Sequence, residues 1–174
     1  MQTIETSEVL HNAHSGDQLI ITQTCKQTKG KYLEVEAIYQ PAKEFAPQHF
    51  HPAQEEQFTV LSGKLMTKIN GIQREYQAGE SFIIPARIPH AMYNASSQEV
   101  HFRWKIYPAL RTEEFFRRTY QTFNNVKSKN GKPSIVDMLL LLQDFHKEFI
   151  ITKIPVFLQA FLFKFILPLL RKRH

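Results

Sequence analysis

The 174-residue chain is long enough for one domain with an extension, and 43% hydrophobic with 12% aromatic residues excludes a disordered polymer. The formal net charge of +6 is uneven: residues 1–107 carry 10 Lys+Arg against 11 Asp+Glu, and residues 108–174 carry 12 against 5. These basic residues are scattered, with no stacking platform and no helix-turn-helix pattern, so nucleic-acid binding is not expected.

Residues 1–16 read as a polar N-terminal arm that lacks the apolar stretch of a secretory signal. The lone Cys25 excludes an intramolecular disulfide, and a reducing, cytoplasmic setting is the expectation. Residues 19–24 are rich in Ile and Thr and predict a first strand. After a turn at Gly30, residues 31–40 alternate, with Leu33, Val35, Ala37 and Tyr39 on one face and Glu34, Glu36 and Ile38 on the other. That period of two marks a half-buried strand.

Pro41 and Pro47 lead into His49-Phe50-His51, and a further strand is expected over 56–61, with Glu56, Phe58 and Val60 sharing a face. Asn70-Gly71 is a hairpin signal between strands at 64–69 and 73–76. Residues 81–84 form another short strand, Pro85 and Pro89 bracket a loop, and His90, Met92 and Asn94 then share a face. Residues 99–107 alternate with Val100, Phe102, Trp104 and Ile106 together. Short strands at this density, with Gly, Pro and Asn turns, predict an antiparallel sandwich or barrel.

Two histidines at i and i+2 converge if they lie in a strand. With Glu56 just downstream and His90 from another segment, His49 and His51 make a ligand set for a divalent transition metal. The spacing from His49 through Gly63 is H-x-H-x4-E-x6-G. Gly79, Pro85, His90 and Asn94 fit G-x5-P-x-G-x2-H-x3-N, with Arg87 at the place of the second glycine. The two stretches together resemble the two motifs of the cupin superfamily, in its small single-domain form with one conserved barrel. The resemblance covers roughly residues 17–107 and implies a mainly β fold, an antiparallel jelly-roll barrel (a double-stranded β-helix). It implies one metal ion, Fe, Mn, Ni, Cu or Zn, held by His49, His51, Glu56 and His90.

Phe58, Val60, Met92, Phe102 and Trp104 lie on the faces inferred to point inward and are expected to line or support a substrate pocket for a small, largely apolar ligand. The reading that follows is a metal-binding protein, with a dioxygenase-like oxidoreductase acting on a small organic molecule as the leading enzyme class. In that reading Glu56 is both ligand and candidate base. A non-catalytic ligand-binding module and an interaction protein working through its tail stand beside it, because the fold hosts many functions.

After Pro108 the pattern turns helical, and residues 108–174 are expected to form a C-terminal helical extension. Thr112 is the expected N-cap of a helix bearing Phe116, Tyr120 and Phe123, followed by a polar loop over 124–133. Ser134 to Asp137 reads as a capping box. It opens a helix with Ile135, Leu139, Leu142, Phe145 and Phe149 on one stripe. Pro155 opens a third helix towards Leu170, apolar nearly all round, ending in Arg171-Lys172-Arg173. Three covers for it are open: protein, with a homodimer as the expectation; a membrane surface contacted through 155–173; or a membrane span, against which Lys153 and Lys164 argue.

Overall fold

The structure is a computed structural model and describes residues 7–126 and 132–166. Eleven strands form two antiparallel sheets among these residues, followed by helices. The strands are β1 (Glu8–His11), β2 (Gln18–Gln23), β3 (Leu33–Tyr39), β4 (His49–Phe50), β5 (Glu55–Ser62) and β6 (Lys64–Ile69). They continue with β7 (Ile72–Gln77), β8 (Ser81–Ile84), β9 (His90–Tyr93), β10 (Val100–Tyr107) and β11 (Ile150–Ile151). One sheet runs β1-β2-β3-β10-β5-β8, and the other β11-β4-β9-β6-β7. The helices α1 (Thr112–Asn124), α2 (Ile135–Asp144) and α3 (Val156–Phe161) all follow the first ten strands, and α3 runs on as a π-helical turn, Leu162–Ile166. This is the mainly β jelly-roll that the resemblance implies, with the helical extension that the change of period after Pro108 predicts.

The inner faces are those given by the alternation. Leu33, Val35 and Ala37 are buried from β3, Phe58 and Val60 from β5, and Val100, Phe102, Trp104 and Ile106 from β10. Phe58 stacks between Phe82 at 4.8 Å and Trp104 at 5.4 Å, ring centre to ring centre, so the two long central strands are bound by aromatic contact as well as by their ladder. Asn70 and Gly71 both take positive φ, 48° and 84°, which matches the twist required of a two-residue hairpin between β6 and β7.

Several local readings need correction. The polar arm supplies β1, an edge strand paired with β2, and Arg117 on α1 grips its Glu8 at 2.6 Å. Arg111 occupies the N-cap of α1, and the Thr112 hydroxyl instead accepts from Gln54 Nε2 at 2.7 Å. Ser134 caps α2 by accepting from the Asp137 N–H, as read, but that helix ends at Asp144, Ile135 is 79% exposed and the buried side is Leu141, Leu142 and Phe145. Phe149 therefore lies beyond the helix, next to β11, which pairs with β4.

The third helix begins after Pro155 as expected, and its reading beyond residue 166, with Pro168 and the basic end, lies outside the described residues. No described helix is long and apolar enough to cross a membrane. Within the single chain α3 leaves Val156, Phe157, Leu158 and Phe161 exposed, and its one buried residue is Gln159, whose amide donates to the carbonyls of Ile151 and Ile154.

Gly63 gives a direct test of the barrel geometry. It sits at φ 76°, and a Cβ there would meet the Glu99 carbonyl oxygen at 2.6 Å and the Val100 Cα at 3.0 Å, both rigid backbone atoms. Gly63→Ala is expected to lower unfolding free energy by about 2 kcal/mol or more in urea melts, from the strained conformation and the contact together. A variant as stable as the parent would show that the β5–β6 turn is not packed on β10 in this way.

Candidate metal centre

His49 lies on β4 and pairs with His90 on β9, so the ladder itself sets those two rings side by side, 4.3 Å between centres. His51 stands just past the short strand, and its ring lies 5.2 Å from that of His49. The metal-ligating atoms of His49, His51 and His90 lie within 4.8 Å of one another, a group that can hold a metal ion. Glu56 reaches them from β5, on the opposite sheet. Its Oε1 is 3.1 Å from His51 Nε2, and its Oε2 is 3.0 Å from His90 Nε2.

The imidazoles are oriented by the backbone. Nδ1 of His49 donates to the Pro47 carbonyl at 3.0 Å, that of His90 to the Ile88 carbonyl at 2.9 Å, and that of His51 to the Glu148 carbonyl. A carbonyl oxygen can only accept, so each Nδ1 carries a proton, and a ring that is neutral keeps its Nε2 lone pair free for the cluster. Between Nε2 and the carboxylate oxygens there is place for a proton on the ring nitrogen or for a cation instead. His51 Nε2, His90 Nε2 and Glu56 Oε2 are buried with no hydrogen-bond partner. Buried acceptors without donors are costly, and one cation at their meeting point satisfies all of them. The residues present fit a divalent metal, with three imidazole nitrogens and one carboxylate.

The electrostatics differ from ring to ring. Burial pushes His49 down to about 3, reinforced by the His90 and His51 rings beside it, so it stays neutral and free to ligate. Burial also disfavours charge on Glu56, but His51 and His90 override it and hold the carboxyl well below the usual range. His51 is raised against its own burial by the Glu56 carboxylate and by the Glu148 carbonyl. Trp104 Nε1 donates to Glu56 Oε1 at 3.1 Å and fixes the carboxylate plane.

Of the five residues expected at the pocket, all are buried. Phe58, Val60 and Phe102 are packed core, Trp104 touches Glu56, and Met92 lines a cavity of about 380 Å³. His101 turns away from the centre, as its position on β10 implies, and pairs with Glu36 at 2.9 Å. Two contributors escaped the sequence reading. Phe149 stacks on His49 at 4.2 Å with 22° between the ring planes, and the Glu148 carbonyl orients His51. Both come from about a hundred residues downstream, and nothing local marks them beyond Phe149's place on the apolar stripe.

Arg87, at the glycine position of the second motif, adopts φ 66°. Its N–H donates to the His51 carbonyl at 2.8 Å and its Nε to the Pro52 carbonyl at 3.2 Å. The turn is left-handed at this residue and is bonded to the segment that carries His51.

Comparison with known proteins agrees with this geometry. A family model described as a cupin domain matches residues 35–106, the stretch that holds all four candidate ligands. Among solved structures, a predicted oxalate decarboxylase from Thermotoga maritima is 18% identical, with a TM-score of 0.52 over 59% of this chain and 92% of that one. An RmlC-like cupin from Shewanella frigidimarina is 16% identical, with a TM-score of 0.52 over 63% of this chain and 90% of that one. KdgF from a Halomonas species is 15% identical, with a TM-score of 0.50 over 61% of this chain and 90% of that one. At these identities the likeness is one of fold. No curated protein matches the chain.

Replacing His51 by Ala removes the ring that bridges Glu56 and the Glu148 carbonyl. The expected outcome is a folded protein whose metal content, measured by elemental analysis, falls at least about tenfold in affinity-limited loading. Full metal stoichiometry in a folded His51→Ala protein would remove His51 from the ligand set.

Proposed function

On the premise that the chain is a member of the cupin superfamily through its 35–106 domain, we propose that it is a metal-dependent enzyme of the oxygenase type. Its substrate is a small organic molecule, and His49, His51, His90 and Glu56 hold one divalent transition metal. The observation that carries this reading is the convergence of three backbone-oriented imidazoles on a carboxylate whose Oε2 has no donor. The donor set is compatible with Fe, Mn, Ni, Cu or Zn. When bound, such a metal supplies Lewis-acid or redox chemistry at the coordination positions that the protein leaves open.

The chain's own residues supply the rest. Glu56 stays ionised because of the histidines around it, which suits it to ligation first. A role as base requires Oε2 to be released, and Trp104 can then hold the carboxylate in place through Oε1. Phe149 lies over the His49 ring and excludes water from that side. The test is reconstitution with each metal in turn, followed by oxygen uptake across a set of small acids, amines and aromatic compounds. Metal-dependent uptake with at least one compound, lost in His51→Ala, is expected. Metal bound at one per chain with a ligand retained and no turnover would instead make the protein a binding module.

We also propose that a second copy of the chain covers α3. What supports this is its exposed apolar surface, in which Phe157 alone is 77% accessible and Phe161 and Phe165 are half accessible. A helix that is apolar on most sides needs a cover, and an isologous pair buries the same patch twice. The expected species in solution has twice the chain mass and dissociates when residues 155–174 are removed. A monomer without detergent would overturn it, and salt-sensitive flotation with anionic liposomes would assign the helix to a membrane surface.

A further inference from the structure

The cavity of about 380 Å³ lies where the barrel meets α1. Tyr39 of β3, Tyr93 of β9, Phe45 of the intervening loop, and Tyr120 and Phe123 of α1 all line it. Five aromatic side chains around one cavity give it apolar walls with negative ring faces. The charged residues in its lining are Asp17 and Glu44, and no Lys, Arg or His takes part.

Asp17 is held there by neutral donors. Its Oδ1 accepts from the Gln40 N–H and its Oδ2 from the Ser15 hydroxyl, each at 2.8 Å, so the charge is positioned without being cancelled. Phe45 packs against Tyr93 with ring centres 4.4 Å apart. The loop that carries Phe45 is pinned to the end of β9 by Ala42 N–H to the Asn94 carbonyl, at 2.9 Å. The Thr119 hydroxyl is buried against the same cavity with no partner among the described residues, a spare polar atom for a ligand. Burial pushes the Tyr39 hydroxyl up, and Tyr120, Asp17 and Glu56 push the same way.

An anionic ligand finds no counter-charge in these walls, and a purely apolar one leaves Asp17 unused. A cation satisfies both the carboxylate and the ring faces. We propose that this cavity binds a small organic cation, an aliphatic ammonium, through its aromatic side chains and the Asp17 carboxylate. Met92 lies two residues beyond His90 on the same face of β9 and also lines the cavity, while His49, His51, Glu56 and His90 do not. As a substrate site the cavity rests on the function proposed above; as a binding site it stands without it.

The test compares choline with its neutral carbon isostere, in which carbon replaces the quaternary nitrogen, by calorimetric titration of the full-length chain. Choline should bind about tenfold more tightly than the isostere, a margin within reach of desolvated cation–aromatic contacts. Tyr120→Leu and Tyr93→Leu should each weaken choline several-fold and leave the isostere unchanged. His51→Ala should bind choline as the parent does while failing to take up metal, so the two readings fail separately. Equal affinity for the two probes, or no saturable binding of choline, would overturn the proposal even if the tyrosine variants do not fold. So would choline affinity unchanged in both folded tyrosine variants.

Discussion

Three hydrogen bonds from imidazole to backbone set the character of this molecule. The carbonyls of Pro47, Ile88 and Glu148 each accept from an Nδ1 N–H, and so turn the Nε2 side of each ring towards the cluster. Without those bonds the rings could flip or exchange tautomers, and the cluster would relax into ordinary histidine–carboxylate pairs. With them, His90 Nε2 and His51 Nε2 are held at 3.0 Å and 3.1 Å from the two oxygens of Glu56. The surrounding barrel keeps that arrangement from opening, because its two sheets are joined by packed aromatic and aliphatic side chains that leave little room to slide.

The helical extension is part of the site wall. β11 adds a short rung to β4, with Ile151 opposite His49, and the residues just before it supply the ring over His49 and the carbonyl for His51. Thr152 fastens the same segment by donating its N–H and its hydroxyl to the Gln48 carbonyl. Farther back, buried Glu148 accepts from the Arg111 N–H at the start of α1, and Arg111 stacks over Phe145. A chain of direct contacts therefore runs from α1 through residues 145–152 to the ligands.

Much of this was legible in the sequence, for identifiable reasons. Strand faces could be read because alternation leaves only one side of β3, β5 and β10 apolar. The four candidate ligands could be read because their spacing repeats a two-part motif and their residue types are costly to bury for any other purpose. The contributions of Phe149 and Glu148 could not, since a carbonyl has no sequence signal and the apolar stripe through Phe149 continued a helical period past the real end of α2. Thr112 misled for a related reason. Its hydroxyl had two possible uses, and the buried Gln54 amide, 58 residues away in sequence, claimed it. Arg87 shows the limit of motif reading. The motif has glycine at this place, and Arg87 takes a left-handed conformation there, at a cost of about 1–2 kcal/mol for a residue with a side chain.

That cost at Arg87 is informative about where the chain needs rigidity. Gly would relieve it, but Gly has no Nε to reach the Pro52 carbonyl and is looser when unfolded. The bonds from Arg87 join the loop before His90 to the residues that follow His49, so the left-handed arginine clamps two ligand-bearing segments of the same sheet. Glu56 comes from the other sheet, and the carbonyl for His51 from the extension. The four candidate ligands are thus held by three separate parts of the fold, and an ion bound among them would link all three at once. An ion that binds the folded chain and not the unfolded one would add stability in proportion to the logarithm of its concentration over its dissociation constant. The strain at Arg87 and the close approach of His90 Nε2 to Glu56 Oε2 both lie at this junction, and an ion bound there would offset part of what holding these groups in place costs.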